Sequence, residues 1–274
     1  MNELQAIILG IIQGITEFLP VSSSAHLVLT PYLFGWQIPE QYIFPFDVLV
    51  QMGTLVAVLI YFRRDLIDIV VAVVKDLLDR QVYTPPKARL GWYLILASIP
   101  AGILGLALKD TVESVFKNPQ ITAAFLLGTA ALLVVAERVG KRSRQIESIR
   151  WLDALVIGFS QALALFPGIS RSGATIAGGM VRNLDRTSAA RFSFMMSIPV
   201  MLAAGLVGLV ELINLPDLSS FLPSMGIGFL VSAIVGYASI HWLLKFISHR
   251  PLYPFAIYCT LVAFFILVFS YVQA

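Results

Sequence analysis

The sequence predicts an all-α polytopic membrane protein made of inverted-topology repeats, each a re-entrant helix–loop–helix hairpin plus three transmembrane helices. Three observations lead there: an apolar composition, six apolar runs suited to crossing a bilayer, and two shorter apolar stretches interrupted by similar polar segments. Of 274 residues, 58% are hydrophobic and only 13% charged, with a mean hydropathy of +0.85. Soluble domains carry about 25% charged residues. The composition therefore excludes a water-soluble enzyme, a disordered chain and a nucleic-acid binder, and it makes membrane lipids the expected surroundings. The net charge of +3 is small, so its distribution matters more than its sum. The single cysteine, Cys259, lies in an apolar run and has no partner for a disulfide within the chain. Met1 to Glu3 lack a basic n-region, so the first apolar stretch is expected to be mature structure.

The elements follow in order. Residues 4–18 and 21–34 are each too short to span, and Pro20 with a run of serines separates them. Residues 48–62, with Phe46 and Asp47 at the entrance, make the first span; 90–108 and 118–136 make the second and third. The stretch 63–80 mixes charges with apolar residues at helical spacing. It reads as a solvated helix end, with a position on the cytoplasmic surface as the alternative. Residues 154–166 and 172–181 are again too short, and Pro167-Gly168 and more serines part them. Residues 192–210, 218–244 and 251–274 complete six spans, with Pro223 and Pro251 near helix starts. Irregular backbone at membrane depth is tolerated only inside protein or beside a wet cavity, which is why both broken stretches read as re-entrant hairpins.

The two hairpins also match each other. At an offset of 148, Gly10 meets Gly158, Gln13 meets Gln161, Phe18 meets Phe166, Ser22 meets Ser170 and Ser24 meets Ser172. The chain thus divides into one repeat over about 1–138 and another over about 150–274, within a single membrane domain. Three spans per repeat is an odd number, so the second copy must lie upside down, with any site near the midplane. Basic residues test this layout. Sixteen of the 19 fall in segments placed on one side, two (Lys109 and Lys117) on the other, and Arg171 stays inside the second hairpin. By the positive-inside rule both termini are then non-cytoplasmic. Hairpins of two full spans would give the same split.

The breaks carry the chemistry. In the first, Gln13 and Glu17 are four apart and share a helix face. A carboxylate at membrane depth costs roughly 2.5–3.5 kcal/mol, so it usually has a partner or a function. Ser22 or Ser23 suits the N-cap of the next helix, whose free N–H groups form an anion site; Ser24 and His26 lie in its first turn. In the second, Ser170, Arg171, Ser172 and Thr175 open another helix after a Pro-Gly break. Arg171 offers a fork of donors suited to phosphate. In the inverted arrangement Glu17, Ser23, His26 and Arg171 converge with two helix N-termini, a set suited to phosphate or diphosphate. The alternative for Glu17 and Arg171 is an ion pair that only holds the halves together. His241 and His249 read as interfacial, and Gly178-Gly179, Gly205 and Gly208 as close-packing positions.

QGITEFLPVSSSAHL (13–27) and PGISRSGATIAGG (167–179) resemble the two signature segments of the undecaprenyl-diphosphate phosphatase family, the bacitracin-resistance membrane phosphatases. FDVLVQMGTLVAV (46–58) and PFAIY (254–258) extend the resemblance along the chain. The resemblance implies a bacterial plasma-membrane enzyme that hydrolyses undecaprenyl diphosphate to undecaprenyl phosphate and inorganic phosphate. That reaction recycles the lipid carrier of cell-wall synthesis. The family's acidic motif falls on Gln13 and Glu17, its serine and histidine on Ser23 and His26, and its arginine on Arg171, flanked by Ser170 and Ser172. It also implies a divalent cation, Mg2+ or Ca2+, on Glu17 with Gln13, although Gln13 leaves only one carboxylate there. Ser23 is then the candidate nucleophile, with His26 to accept its proton; a water activated by His26 fits the sequence equally. A phosphate-lipid flippase or anion transporter is the rival class, since it would use the same arginine and helix ends. A homodimer is compatible with this reading and not required by it.

Overall fold

The computed structural model describes residues 1–79, 85–108, 111–112, 118–213 and 218–273. Arg80, Lys109 and Lys117, all counted in the charge distribution, lie outside them. The described residues are almost entirely helical. The helices are α1 (Glu3–Thr16), α2 (Ser23–Phe34), α3 (Glu40–Tyr61), α4 (Arg63–Leu78), α5 (Pro86–Ala107) and α6 (Pro119–Val139), then α7 (Trp151–Leu163), α8 (Arg171–Val181), α9 (Arg186–Ile213), α10 (Leu218–Ile247) and α11 (Tyr253–Gln273). Six of them, α3, α5, α6, α9, α10 and α11, are long and apolar enough to cross a membrane. They coincide with the six expected spans, and the chain is a multi-pass membrane protein.

Helix starts follow local chemistry. Asn2 caps α1 by accepting from the Gln5 amide, and Asn118 caps α6 by accepting from the Gln120 and Ile121 amides. Proline occupies the first turn of α5 and of α6, where its missing N–H costs nothing. The stretch 63–80 is more than a continuation of the span before it. The chain turns at Phe62 and re-forms α4 against α5, leaving Ile67, Val70, Val71, Val74 and Leu78 as an exposed apolar stripe. A charged helix with such a stripe suits a membrane surface.

The short helices pack across the chain's midpoint. α1 lies on α10, and α7 lies on α5. Glycine makes both contacts. A Cβ on Gly10 would sit 2.8 Å from the Gly228 carbonyl oxygen, and one on Gly158 would sit 2.5 Å from that of Ala97. α3 packs on α9, where Gly205 and Gly208 leave room for Met52 and Val48; α6 packs on α11. α8 is enclosed by α6, α7 and α9, and Ser172 to Met180 are all buried. Phe18 of the first break meets Phe194 of α9 edge to face, with centroids 5.2 Å apart.

At one end, two buried carboxylates gather the arginines. Glu137 accepts from Arg186 at 2.6 and 2.7 Å, from Arg142 at 2.7 Å and from the Leu252 amide at 2.8 Å, so it joins the ends of α6, α9 and α11. Asp153, at the start of α7, accepts from Arg144 and Arg182 at 2.7 Å and from the Arg150 amide at 2.9 Å. Burial alone would raise the Asp153 carboxyl; the bonds from Arg144, Arg182 and Arg150 outweigh it and hold the group below the usual carboxylate range. The basic segments 138–150 and 182–191 therefore meet on one side of the molecule.

Candidate active site

Two interrupted segments build the site. After α1 the chain makes tight turns through Glu17 to Val21, with the Val21 amide on the Leu19 carbonyl at 2.8 Å. Ser22 then caps α2 at φ +70°, a left-handed conformation that costs a non-glycine residue about 1 kcal/mol or more. The cost is met where the geometry holds it: its hydroxyl accepts from the Ala25 amide, and its carbonyl accepts from the His26 amide. In the second break, Gly168 turns at φ +103°, where a Cβ would lie 2.2 Å from the Thr122 carbonyl oxygen. Only glycine fits both the angle and the space. Thr129 of α6 pins this turn, donating to the Gly168 carbonyl and accepting from the Ser170 amide, both at 2.8 Å.

The two helix starts are alike at the offset of 148. Ser22 and Ser170 both cap through their hydroxyls, onto Ala25 and Gly173. Ser22 shares a 3.2 Å hydroxyl contact with Ser24, and Ser170 a 3.1 Å contact with Ser172. The breaks also touch: Ser172 donates to the Leu19 carbonyl at 3.1 Å.

Glu17 is the centre. It is 7% exposed, and its carboxylate accepts from three groups: Arg171 at 2.5 Å, the Ser23 hydroxyl at 2.6 Å and the Gln13 amide at 2.9 Å. The structure thus brings together Gln13, Glu17, Ser23 and Arg171. It does not add His26 to them. The His26 ring lies with Nδ1 2.7 Å from the Ser22 carbonyl oxygen and Nε2 2.8 Å from the Tyr258 hydroxyl, so the group beside the Ser23 proton is Glu17. The reason is local: the left-handed Ser22 aims its carbonyl into the first turn of α2, where it captures the nearer ring nitrogen. The Thr175 hydroxyl donates to the Arg171 carbonyl at 2.7 Å and accepts from Ser193 at 2.6 Å, holding α8 to α9.

Two polar atoms in this cluster are buried without a partner among the described residues: Arg171 Nη1 and Gln13 Oε1. A buried donor left unpaired costs about 1–3 kcal/mol. Arg171 Nη1, beside the amide-rich starts of α2 and α8, is a donor an anion would satisfy. Gln13 Oε1 and the Glu17 carboxylate are the oxygen atoms that would hold a hard divalent cation, once the carboxylate gave up part of its bonding to Arg171, Ser23 and the Gln13 amide. No group of three or more His, Cys, Asp or Glu that could hold a metal ion occurs among the described residues.

Tyr258 is the functional candidate that residue-by-residue reading missed. Its only sequence signal is its place in the PFAIY segment; nothing local connects it with His26, 232 positions away.

Known proteins resemble this chain over its whole length. It is 45% identical over 258 residues to an undecaprenyl-diphosphatase of Chlorobaculum parvum, covering 91% of this chain and 90% of that one. It is 43% identical to that of Geobacter metallireducens over 274 residues and the full length of both. A third, from Methanosphaera stadtmanae, is 40% identical over 281 residues and 99% of each chain. Residues 6–265 match the family model described as bacitracin resistance protein BacA, and the chain belongs to that family.

Proposed function

We propose that this protein hydrolyses undecaprenyl diphosphate to undecaprenyl phosphate and inorganic phosphate, recycling the lipid carrier for peptidoglycan synthesis and conferring bacitracin resistance. The observation that carries the reading is the meeting of both breaks: Ser23 hydrogen-bonded to Glu17, and Arg171 with one arm on Glu17 and the other unpaired. Relatives 40–45% identical over nearly the whole chain bear the name undecaprenyl-diphosphatase.

Phosphoryl transfer depends on positioning and charge stabilisation. Arg171 and the N–H groups opening α2 and α8 bind the diphosphate. As the phosphate draws on Arg171, the Glu17 carboxylate is left to take the Ser23 proton. Ser23 Oγ then attacks the terminal phosphorus, the bond to the bridging oxygen breaks, and undecaprenyl phosphate leaves with that electron pair. Water hydrolyses the phosphoserine to release phosphate, with His26 Nε2 as the base for it. A bound Mg2+ or Ca2+ would neutralise charge on the phosphate oxygens, held by Glu17 and Gln13. Acid-quenched reaction with labelled substrate should trap phosphate on Ser23. Single-turnover hydrolysis with nothing trapped would instead assign the attack to water.

The layout supports two finer readings. α1 on α10 and α7 on α5, each seated through a glycine at the same offset, favour inverted repeats with re-entrant hairpins. The arginines collected by Glu137 and Asp153 favour a cytoplasmic position for that end, with both termini on the opposite side.

The test is phosphate release from undecaprenyl diphosphate by the detergent-purified protein beside Arg171→Ala and Glu17→Gln, with and without EDTA. Turnover by the parent and strong loss in both folded variants is expected. Lipid binding without turnover under any cation would replace the phosphatase with a carrier.

A further inference from the structure

We propose that Tyr258 of α11 is a positioning residue for His26, fixing the orientation and tautomer of its ring. The Ser22 carbonyl can only accept, so His26 Nδ1, 2.7 Å away, carries a hydrogen. In the neutral ring Nε2 is then the lone-pair nitrogen, and the Tyr258 hydroxyl donates to it at 2.8 Å. The rings lie nearly parallel, 9° apart with centroids separated by 5.7 Å. A ring flip would break both bonds at once. The imidazole is therefore held in one orientation and one tautomer in the resting site, and Nε2 takes a proton from water once the Tyr258 hydroxyl turns off its lone pair.

α11 is itself held in register for this contact. Next to Tyr258, the buried Cys259 thiol lies 3.7 Å from the Pro20 carbonyl oxygen in the first break. Further along, Ser270 lies 3.1 Å from the Tyr32 hydroxyl, and Phe269 meets the Tyr32 ring edge to face. Tyr258 is 43% exposed on an apolar helix, where its hydroxyl would face lipid without a polar partner. His26 supplies one, and the hydroxyl shares control of the base that the Ser22 carbonyl holds from the other side.

This inference rests on the reading of His26 as catalytic, and the experiment separates the two. The kcat and KM for undecaprenyl diphosphate are measured for the parent, Tyr258→Phe, His26→Ala and the double variant. Tyr258→Phe keeps the ring and removes the hydroxyl. The expected result is a kcat lower by on the order of 10-fold with KM within about 2-fold, and no further loss when it is added to His26→Ala. Parent-like kcat in Tyr258→Phe with His26→Ala impaired would overturn the role of Tyr258 alone. An equal loss from Tyr258→Phe in both backgrounds would also overturn it, since the effect would not pass through His26. Parent-like kcat in His26→Ala would remove the catalytic reading of His26 itself. A measurement on the intact contact is independent of that variant's folding. With His241 and His249 replaced by Asn, 15N spectra of the remaining histidine should show hydrogen on Nδ1; hydrogen on Nε2 alone would overturn the proposal.

Discussion

The first and second breaks share a frame and differ in everything that could react. Both begin a helix with a serine cap and an i, i+2 hydroxyl pair at the same offset. Yet where the first has Glu17, Ser23 and His26, the second has Leu165, Arg171 and Ala174. The acid and hydroxyl sit on one side and the cation on the other, and the 2.5 Å Arg171–Glu17 contact joins them. The glutamines show the consequence. Gln13 spends its amide on Glu17, whereas Gln161, with leucine four residues later, has neither amide atom paired among the described residues. The helix starts diverge likewise. The Asn2 amide donates to Gln5 and the Arg150 amide to Asp153, the same bond 148 residues apart. Only Asp153 is buried and also takes two arginines.

The largest effect should come from Arg171→Ala, which removes the second break's only contribution of charge. We expect kcat for undecaprenyl diphosphate to fall about 10³-fold with the folded protein retained. A loss under tenfold would reduce Arg171 to a tie between halves. Asp153→Asn comes next, because it leaves Arg144 and Arg182 without their buried partner. We expect a loss on the order of 3 kcal/mol in detergent unfolding, with Gln5→Ala nearly neutral. The folded-state pKa of Asp153 is depressed. Its contribution is therefore complete above the ordinary carboxylate value of about 4 and is lost as pH falls through the lowered one. The gap between parent and variant should close only in that acid window; a constant gap would contradict the pairing.

Gln161→Leu separates the two glutamines. Removing an unpaired buried amide should leave activity unchanged and stabilise by about 1 kcal/mol, while Gln13→Leu should lower turnover. Equal loss of activity in both would show that Gln161 serves the reaction. The smallest change is Ser170→Ala, which removes the α8 cap at a cost of about 1 kcal/mol, read as a shift in unfolding midpoint.

Much of the molecule is legible in its amino-acid order. Six spans follow from apolar runs because a bilayer demands a length of apolar side chains, a property of the local sequence. The breaks are legible because Pro20, Pro167 and Gly168 interrupt such runs and serines follow them. The types of residue that meet at Glu17, a carboxylate, a hydroxyl and an arginine, are legible because charge at membrane depth is costly and conspicuous. What the tertiary structure decided was the pairing. Spacing puts His26 one turn from Ser23, but Ser23 turns to Glu17, and His26 turns to Ser22 and Tyr258. A hydrogen bond is chosen among all donors and acceptors that packing brings within reach, and α11 brings Tyr258 from the far end of the chain. Nothing in the sequence singles out Glu137 or Asp153, and burial against four arginines made them anchors. Composition and spacing set where the chain lies and which groups it carries there; the close approach of helices distant in sequence set which of those groups touch.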